Sequence, residues 1–160
     1  MSPSIQPVPP GLEGLIPHLV CAPCSEAIEF YKKAFGAEEL MRMPAPDGQR
    51  IMHAAIRIGQ SHVFLVDDFP EFCGGKSGTA TALGGTPVTI HRYVPDCDAA
   101  VKRAEAAGAT VFMPPQDMFW GDRYGAVSDP FGHRWSFATH IKDLTPEQMM
   151  AGMKQAFAQG

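Results

Sequence analysis

The stretch DMFWGDRYGAVSDPFGHRWSFATH, residues 117–140, decides the fold because it contains a complete predicted hairpin. Two strand-like segments, Tyr124–Ser128 and Arg134–Thr139, flank the tetrapeptide Asp-Pro-Phe-Gly at 129–132. Proline presets the negative φ that a turn needs, and glycine supplies a positive one. The stretch therefore predicts two antiparallel strands joined by a tight turn.

The residues before this hairpin complete a βαβββ module. A strand is predicted at Val88–Val94, a helix at Asp98–Ala107 and a further strand near Thr110–Met113. Gly108 stands directly after the helix, where a residue without a Cβ readily adopts the left-handed conformation that ends helices.

The first half of the chain repeats this order, which indicates an internal duplication. Its predicted helix, Ser25–Phe35, has an apolar face and ends at Gly36. Aligning the halves pairs His18 with His91 and Gly36 with Gly108. The sequence therefore predicts an α+β fold of two βαβββ modules. The predicted strands of the first module are Leu15–Ala22, Glu39–Met43, Arg50–Ile58 and His62–Val66.

The two modules are predicted to share one domain, with a proline-rich extended arm before it and a helix after it. Thr145 can cap that helix and Pro146 can occupy its first position. The helix carries an apolar stripe that needs a partner surface, either the body of the same chain or a second subunit. Its members are Met149, Met150, Met153, Ala156 and Phe157. The predicted boundaries are an arm at 1–13, the domain at 14–140 (module one 14–67, linker 68–86, module two 87–140) and the C-terminal helix at 141–160.

Composition narrows the class of protein. The 160 residues carry a net charge of −4, with Lys and Arg scattered along the chain, so nucleic acid is not an expected partner. No apolar run approaches the roughly 20 residues of a spanning helix, and the N-terminus lacks the pattern of a secretory signal. The four cysteines do not form the framework of a small secreted domain. We therefore expect a cytoplasmic protein without a membrane partner.

Three segments resemble the vicinal-oxygen-chelate superfamily, which includes glyoxalases, bleomycin-resistance proteins and dioxygenases. They are AIEFYKKAFGAEE at 27–39, VPDCDAAVKRAEAAGATV at 94–111 and the stretch at 117–140, the most specific of the three. The resemblance covers about residues 14 to 145 and is closest to the subgroup typified by the phosphonate-operon protein PhnB. It implies that each module forms an incomplete barrel and that paired modules enclose one small-molecule site.

The resemblance also implies where a metal would bind. Metal-dependent members take one His or Glu from each of four strands and hold zinc, iron or manganese. Carried over by register, these positions fall on residues that bind metals poorly, so the usual site is expected to be absent and no cofactor is expected. The positions are Ile16, Val63 or Phe64, Thr89 and Ser136.

His18 and His91 lie two residues beyond the missing first-strand ligands and therefore on the same strand faces. Both are predicted to point into the pocket, with Tyr93 beside His91, as hydrogen-bonding groups. His140 shares a face with Ser136. A rearranged divalent-metal site of His18, His91 and His140 remains an alternative, as does a metal-free acid–base site at His18 and His91.

An aromatic and cationic group lies near the opening of the second module and suits a planar or anionic ligand. Its members are Phe119, Trp120, Arg123 and Tyr124. An equally supported interpretation is that Trp120 caps the core and that Arg123 pairs with Asp122 or Asp129. His53 and His62 are predicted to be structural or surface residues, and Trp135 and Phe137 to pack under the helices. The predicted ligand pocket comprises His18, Thr89, His91, Tyr93, Trp120, Arg123, Tyr124, Ser136 and His140.

The pair Cys21-Ala-Pro-Cys24 stands between a strand and a helix, where thioredoxin-like proteins place a redox pair. The second module lacks this pair, which favours structural cysteines. The predicted function is binding or sequestering of a small organic ligand by a homodimer. The alternative is a glyoxalase-, isomerase- or dioxygenase-like enzyme.

Overall fold

The computed structural model describes residues 5–159. By its contacts the chain divides into two compact units, one containing residues up to 32 together with 36–79, the other containing 33–35 and the residues from 80 onward. The boundary between 79 and 80 falls inside the stretch predicted as a linker. The first four residues of the predicted arm and the last residue of the predicted C-terminal helix lie outside the described residues.

The first unit contains a mixed four-stranded sheet in the order β1-β4-β3-β2. Strand β1 pairs with β4 in parallel, whereas the other neighbours are antiparallel. A short 3-10 helix at Pro70–Phe72 follows the sheet. The elements are β1 (His18–Val20), α1 (Cys24–Phe35, whose last three residues belong to the second unit), β2 (Glu38–Pro44), β3 (Ile51–Ile58) and β4 (Ser61–Val66).

The second unit repeats this sheet in the order β5-β8-β7-β6, again with one parallel pair, β5 and β8. Neither sheet closes on itself, so the predicted α+β fold of two incomplete barrels is confirmed. The elements are β5 (Thr89–Tyr93), α2 (Cys97–Ala107), β6 (Thr110–Asp117), β7 (Asp122–Ser128), β8 (Arg134–His140) and α3 (Pro146–Phe157).

The predicted turn between β7 and β8 is present. The Gly132 amide donates to the Asp129 carbonyl at 3.1 Å, and Gly132 has a φ of 89°. The buried Asp129 carboxylate accepts from the backbone amides of Phe131 and His133 and from the indole N–H of Trp135, each at 2.9 Å. Proline, glycine and a satisfied buried carboxylate together fix this hairpin.

Strand register confirms that the two units are copies of one pattern. His18 lies opposite Phe64 in the first sheet, and His91 lies opposite Ser136 in the second. Strand β1 is shorter than predicted and begins only at His18. Pro17, the residue before it, has no N–H to donate to the ladder.

By strand alternation each sheet has one face of buried apolar side chains and a second face that carries its exposed aromatic and imidazole side chains, which we call its open face. Leu65 and Ile56 are fully buried in the first unit, and Phe137 and Trp135 are 2% and 3% exposed in the second. Both rings contact that of Phe35, with ring centroids 5.6 and 4.6 Å apart. Phe137 and Trp135 therefore pack beneath the helices, as predicted.

Helix α3 begins with a capping box, in which the Thr145 hydroxyl accepts from the Gln148 amide and the Gln148 side chain accepts from the Thr145 amide. Gly152 lets it approach the loop between β6 and β7, because a Cβ at residue 152 would lie 3.1 Å from Cβ of Phe119. The apolar stripe stays largely exposed, with Phe157 at 78%. Within residues 5–159, no helix is both long and apolar enough to span a membrane.

Candidate functional site

The open face of the second sheet gathers most of the predicted site residues. Alternation along β5 places Thr89, His91 and Tyr93 on this face, all three exposed. Register places Ser136 beside His91, and Tyr124 beside Ala138 on the same face. The predicted pocket residues of module two are therefore neighbours, apart from Arg123.

His91 is oriented by its neighbours on this face. Its Nδ1 lies 2.7 Å from Oγ of Ser136, a hydroxyl that is almost wholly buried. Its ring meets that of Tyr93 edge-on at 5.0 Å and lies nearly parallel to that of Tyr124 at 5.8 Å. The second ring nitrogen of His91, Nε2, has no hydrogen-bond partner among the described residues.

A buried carboxylate organises the edge of the same face. Asp122 is 4% exposed and accepts from the Tyr93 hydroxyl at 2.7 Å and from the Trp120 indole N–H at 3.1 Å. Nδ1 of His140 lies 2.9 Å from its other oxygen, and Nε2 of His140 lies 2.8 Å from Asp143. Tyr93 of β5, His140 of β8 and Trp120 of a loop thus contact Asp122. Asp143 of a second loop contacts His140.

The titration of these groups reflects the network. Burial raises the pKa of Asp122, but the hydrogen bonds from His140, Tyr93 and Trp120 outweigh it and hold the pKa below its usual value. The hydrogen bond to Asp122 raises the pKa of Tyr93. The carboxylates of Asp143 and Asp122 raise the pKa of His140. Asp122 is therefore ionised at neutral pH, and Tyr93 keeps its proton.

Sequence reasoning missed Asp122 and Asp143 as members of this group. Counting outward from the turn at 129–132 pairs Asp122 with His140, and that is the register of the structure. The signal was therefore available in the hairpin itself. For Asp143, three residues beyond His140 in irregular chain, the sequence offers no comparable signal.

Arg123 is not part of this group. It follows Asp122 in β7 and so points to the other face, where it pairs with Asp98 and Asp117. These partners differ from Asp122 and Asp129, the two considered from the sequence. The aromatic neighbour Trp120 does belong to the group, since its ring contacts that of Tyr124 at 6.0 Å.

The open face of the first sheet carries a different set of side chains. His18 contacts the rings of His53 and Phe64 edge-on, with centroids 5.9 and 6.0 Å apart. Burial and the neighbouring His53 lower the pKa of His18. Met41 and Met43, from β2, are 42% and 47% exposed. His53, predicted as a structural or surface residue, thus lies within this cluster.

The side chains present do not fit the four-ligand metal site of the metal-dependent relatives. The neighbour of His18 on the adjacent strand is Phe64, which has no donor atom, and the neighbour of His91 is Ser136. Both ring nitrogens of His140 are engaged by aspartates. Across residues 5–159, no three His, Cys, Asp or Glu side chains are arranged to hold a metal ion.

Cys21 and Cys24 are both buried and form no disulfide. Burial and the nearby Asp67 carboxylate raise the pKa of Cys24 to about 12. The reactive species of a redox pair is the thiolate, which this environment disfavours. The burial of both thiols and the disfavoured thiolate of Cys24 agree with the structural role expected from the sequence.

The fold and this arrangement define a two-module α+β protein with open sheet faces lined by aromatic and imidazole groups. The chain belongs to the Glyoxalase/Bleomycin resistance protein/Dioxygenase superfamily, whose model matches residues 16–137. This is the family that the three sequence segments resemble.

Among curated relatives, an uncharacterized protein of Mycobacterium tuberculosis is 53% identical over 139 residues, which are 87% of this chain and 81% of that protein. Protein YjdN of Escherichia coli is 31% identical over 131 residues, covering 70% of this chain and 84% of YjdN. Among solved structures, TioX from Micromonospora is 31% identical with a TM-score of 0.60, covering 80% of this chain and 100% of TioX.

Proposed function

We propose that this protein is a metal-free member of its superfamily that binds a small organic molecule on the open face of its second sheet, either to sequester it or to carry it. The observation that carries this proposal is the exposed set of His91, Tyr93 and Tyr124 around the network of Asp122. Ligand sites typically combine aromatic surface with a few oriented polar groups. In this set the polar atoms are held in place by their own hydrogen bonds.

The composition of the face supports binding more than catalysis. Tyr93 is 60% exposed, although its hydroxyl is fixed by Asp122. A ring held in one orientation loses little conformational entropy when a ligand stacks on it. The raised pKa of Tyr93 keeps its hydroxyl protonated at neutral pH, so a phenolate is not available there as a general base.

The competing proposal is an enzyme that uses His18 and His91 as acid–base groups, or a divalent metal on rearranged histidines. The lowered pKa of His18 favours the acid–base form, since it leaves a neutral imidazole on an open face at neutral pH. A glyoxalase-, isomerase- or dioxygenase-like reaction would require the chain to turn over a carbonyl or phenolic substrate.

We further propose that the protein is a cytoplasmic homodimer of the PhnB-like subgroup. The exposed stripe on α3, with Met150 at 55% and Phe157 at 78%, supports a partner surface there. The free state of all four cysteines supports a reducing compartment. Analytical ultracentrifugation of the wild type and of Met150→Glu tests the dimer, because a charge on that stripe should lower the association constant.

Two measurements test the main proposal. Metal analysis of the purified chain should show substoichiometric zinc, iron and manganese, unchanged in His18→Ala and His91→Ala. A thermal-shift screen of planar antibiotics and small metabolites should find stabilising ligands, because binding to the native state raises stability by mass action. Stoichiometric metal that is lost in the histidine variants, or a screen without any stabilising compound, would overturn the proposal.

A further inference from the structure

The network around Asp122 belongs to the second sheet alone. By register, Ile51 holds in the first sheet the position that Asp122 holds in the second, and Val20 holds the position of Tyr93. The first sheet therefore forms the same fold without a buried carboxylate at the equivalent position. Three hydrogen bonds compensate for burying the charge of Asp122, and the first sheet shows that the fold does not require a carboxylate at this position, so the network is specific to the second sheet.

Tyr93 and Trp120 use their donor hydrogens in hydrogen bonds within the network. The Tyr93 hydroxyl and the Trp120 indole N–H both donate to the same oxygen of Asp122. The Tyr93 oxygen keeps its lone pairs as acceptor sites, and Tyr93 is 60% exposed. An aromatic hydroxyl in this state offers a ligand an acceptor, and the rings beside it offer the negative faces of their π-systems.

The arginines of these strands, Arg92, Arg123 and Arg134, lie outside the network of Asp122, and Arg92 donates to the Phe35 carbonyl. Arg123 lies on the other face and pairs with Asp98 and Asp117. Arg134 lies on the same face as Ser136 but at the opposite end of β8 from His140, and its guanidinium lies over the ring of Phe112, 5.3 Å from its centroid. His140, the one cationic group on the network, is shared between Asp122 and Asp143. The part of the open face around Asp122 therefore carries a surplus of acceptors and aromatic surface.

We propose that the rings of Tyr93, Trp120 and Tyr124, standing in front of the buried carboxylate of Asp122, recognise a cationic group of the ligand, such as a quaternary ammonium or a protonated amine. This inference rests on the proposed function, because it names the class of ligand for the same face. A cation near aromatic rings is attracted by their quadrupoles, and a carboxylate behind the rings adds to the field.

The two tryptophans provide a direct readout. Trp120 and Trp135 each donate the indole N–H to an aspartate, but only Trp120 lies at the proposed site. Their two indole signals in a ¹H–¹⁵N correlation spectrum of the full chain are assigned with Trp120→Phe. Benzyltrimethylammonium should shift the Trp120 signal saturably and leave the Trp135 signal in place. Benzoate and benzyl alcohol, at matched ionic strength, serve as the anionic and neutral probes.

Three variants locate the recognition. Tyr93→Leu removes an exposed ring and Asp122→Asn removes the charge while keeping its shape. Each should weaken benzyltrimethylammonium binding by about tenfold, as expected for one cation–π or charge contribution. The matched control is Phe72→Leu, which removes a ring that is 75% exposed in the first unit and should leave the dissociation constant unchanged. If Asp122→Asn does not fold, Tyr93→Leu carries the comparison.

The outcomes separate this inference from the proposed function. Benzoate or benzyl alcohol binding at Trp120 as tightly as the cation would overturn the inference and leave the binding function standing. The absence of any cation-dependent shift of the Trp120 signal would also overturn it. A thermal-shift screen without stabilising compounds would instead remove the proposed function itself.

Discussion

The open faces of the two sheets differ far more than their buried faces do. Equivalent buried positions are filled by similar apolar side chains, such as Leu65 and Phe137, or Ile56 and Val127. Equivalent open positions diverge, since Phe64 in the first sheet corresponds to Ser136 in the second. Packing beneath the helices demands complementary volume, whereas the open face allows more variation in side-chain type.

The equivalent histidines of the two sheets, His18 and His91, lie in different environments. His18 stands among rings and has no side-chain hydrogen bond to another described residue, whereas His91 is bonded to Ser136. The fold supplies the position, and the neighbouring strand sets the chemistry. This difference is why function is assigned to the second face rather than to the fold as a whole.

The two units also differ in how the N-termini of α1 and α2 are capped, and this difference predicts the largest change in the free energy of unfolding. Helix α1 lacks a side-chain cap of its own, and the buried Asp67 carboxylate accepts from the amides of Cys24 at 3.0 Å and Ile51 at 2.7 Å. Asp67→Ala should lower the free energy of unfolding by about 2–4 kcal/mol, because it leaves two buried donors unsatisfied. Urea denaturation followed by circular dichroism measures it.

The equivalent position in the second module supplies the control. Thr139 accepts from the Cys97 amide at 2.8 Å, but α2 also has its own cap, Asp96, which accepts from the Ala99 amide. Thr139→Ala should therefore cost only about 1 kcal/mol. Equal losses in the two variants would contradict the claim that α1 depends on a borrowed cap.

Asp122→Asn should produce the next largest effect. An amide at this position keeps the shape but presents an N–H₂ where Tyr93, Trp120 or His140 now donates. We expect a loss of about 1–3 kcal/mol in the free energy of unfolding. Tyr93→Phe, which removes only one of the three bonds to Asp122, should lose about 1 kcal/mol or less. An Asp122→Asn variant with the same free energy of unfolding as the wild type would mean that the network does not stabilise the second unit.

The network also predicts that the stability of the second module depends on pH. Asp122 has a lowered pKa, so its contribution is present above about pH 4 and is lost as the pH falls through its folded pKa. His140 has a raised pKa, so its contribution is complete below about pH 6.5 and is lost as the pH rises through its folded pKa. Thermal unfolding of the wild type and of His140→Gln should converge at high pH. A difference between them that grows with pH would contradict this assignment.

Local patterning predicted most of the fold, because the information lies within each segment. The helix 24–35 ends at Gly36 with a φ of 67°, and the turn at 129–132 forms as its proline and glycine require. The site was less predictable. Strand alternation brought His91, Tyr93 and Ser136 to one face, but it could not show that Arg123 pairs with Asp98 from α2, since that contact depends on how the helix packs on the sheet.

The smallest expected effect compares the two histidines directly. His91→Phe removes the partner of the buried Ser136 hydroxyl, so it should lower the free energy of unfolding by about 1 kcal/mol. His18→Phe removes no hydrogen bond from a described residue and adds a ring beside Phe64, so its effect should stay within about 0.5 kcal/mol. Denaturant midpoints at constant slope measure both. A larger loss at His18 than at His91 would reverse the comparison, because the apolar face would then depend on its imidazole more than the polar face does.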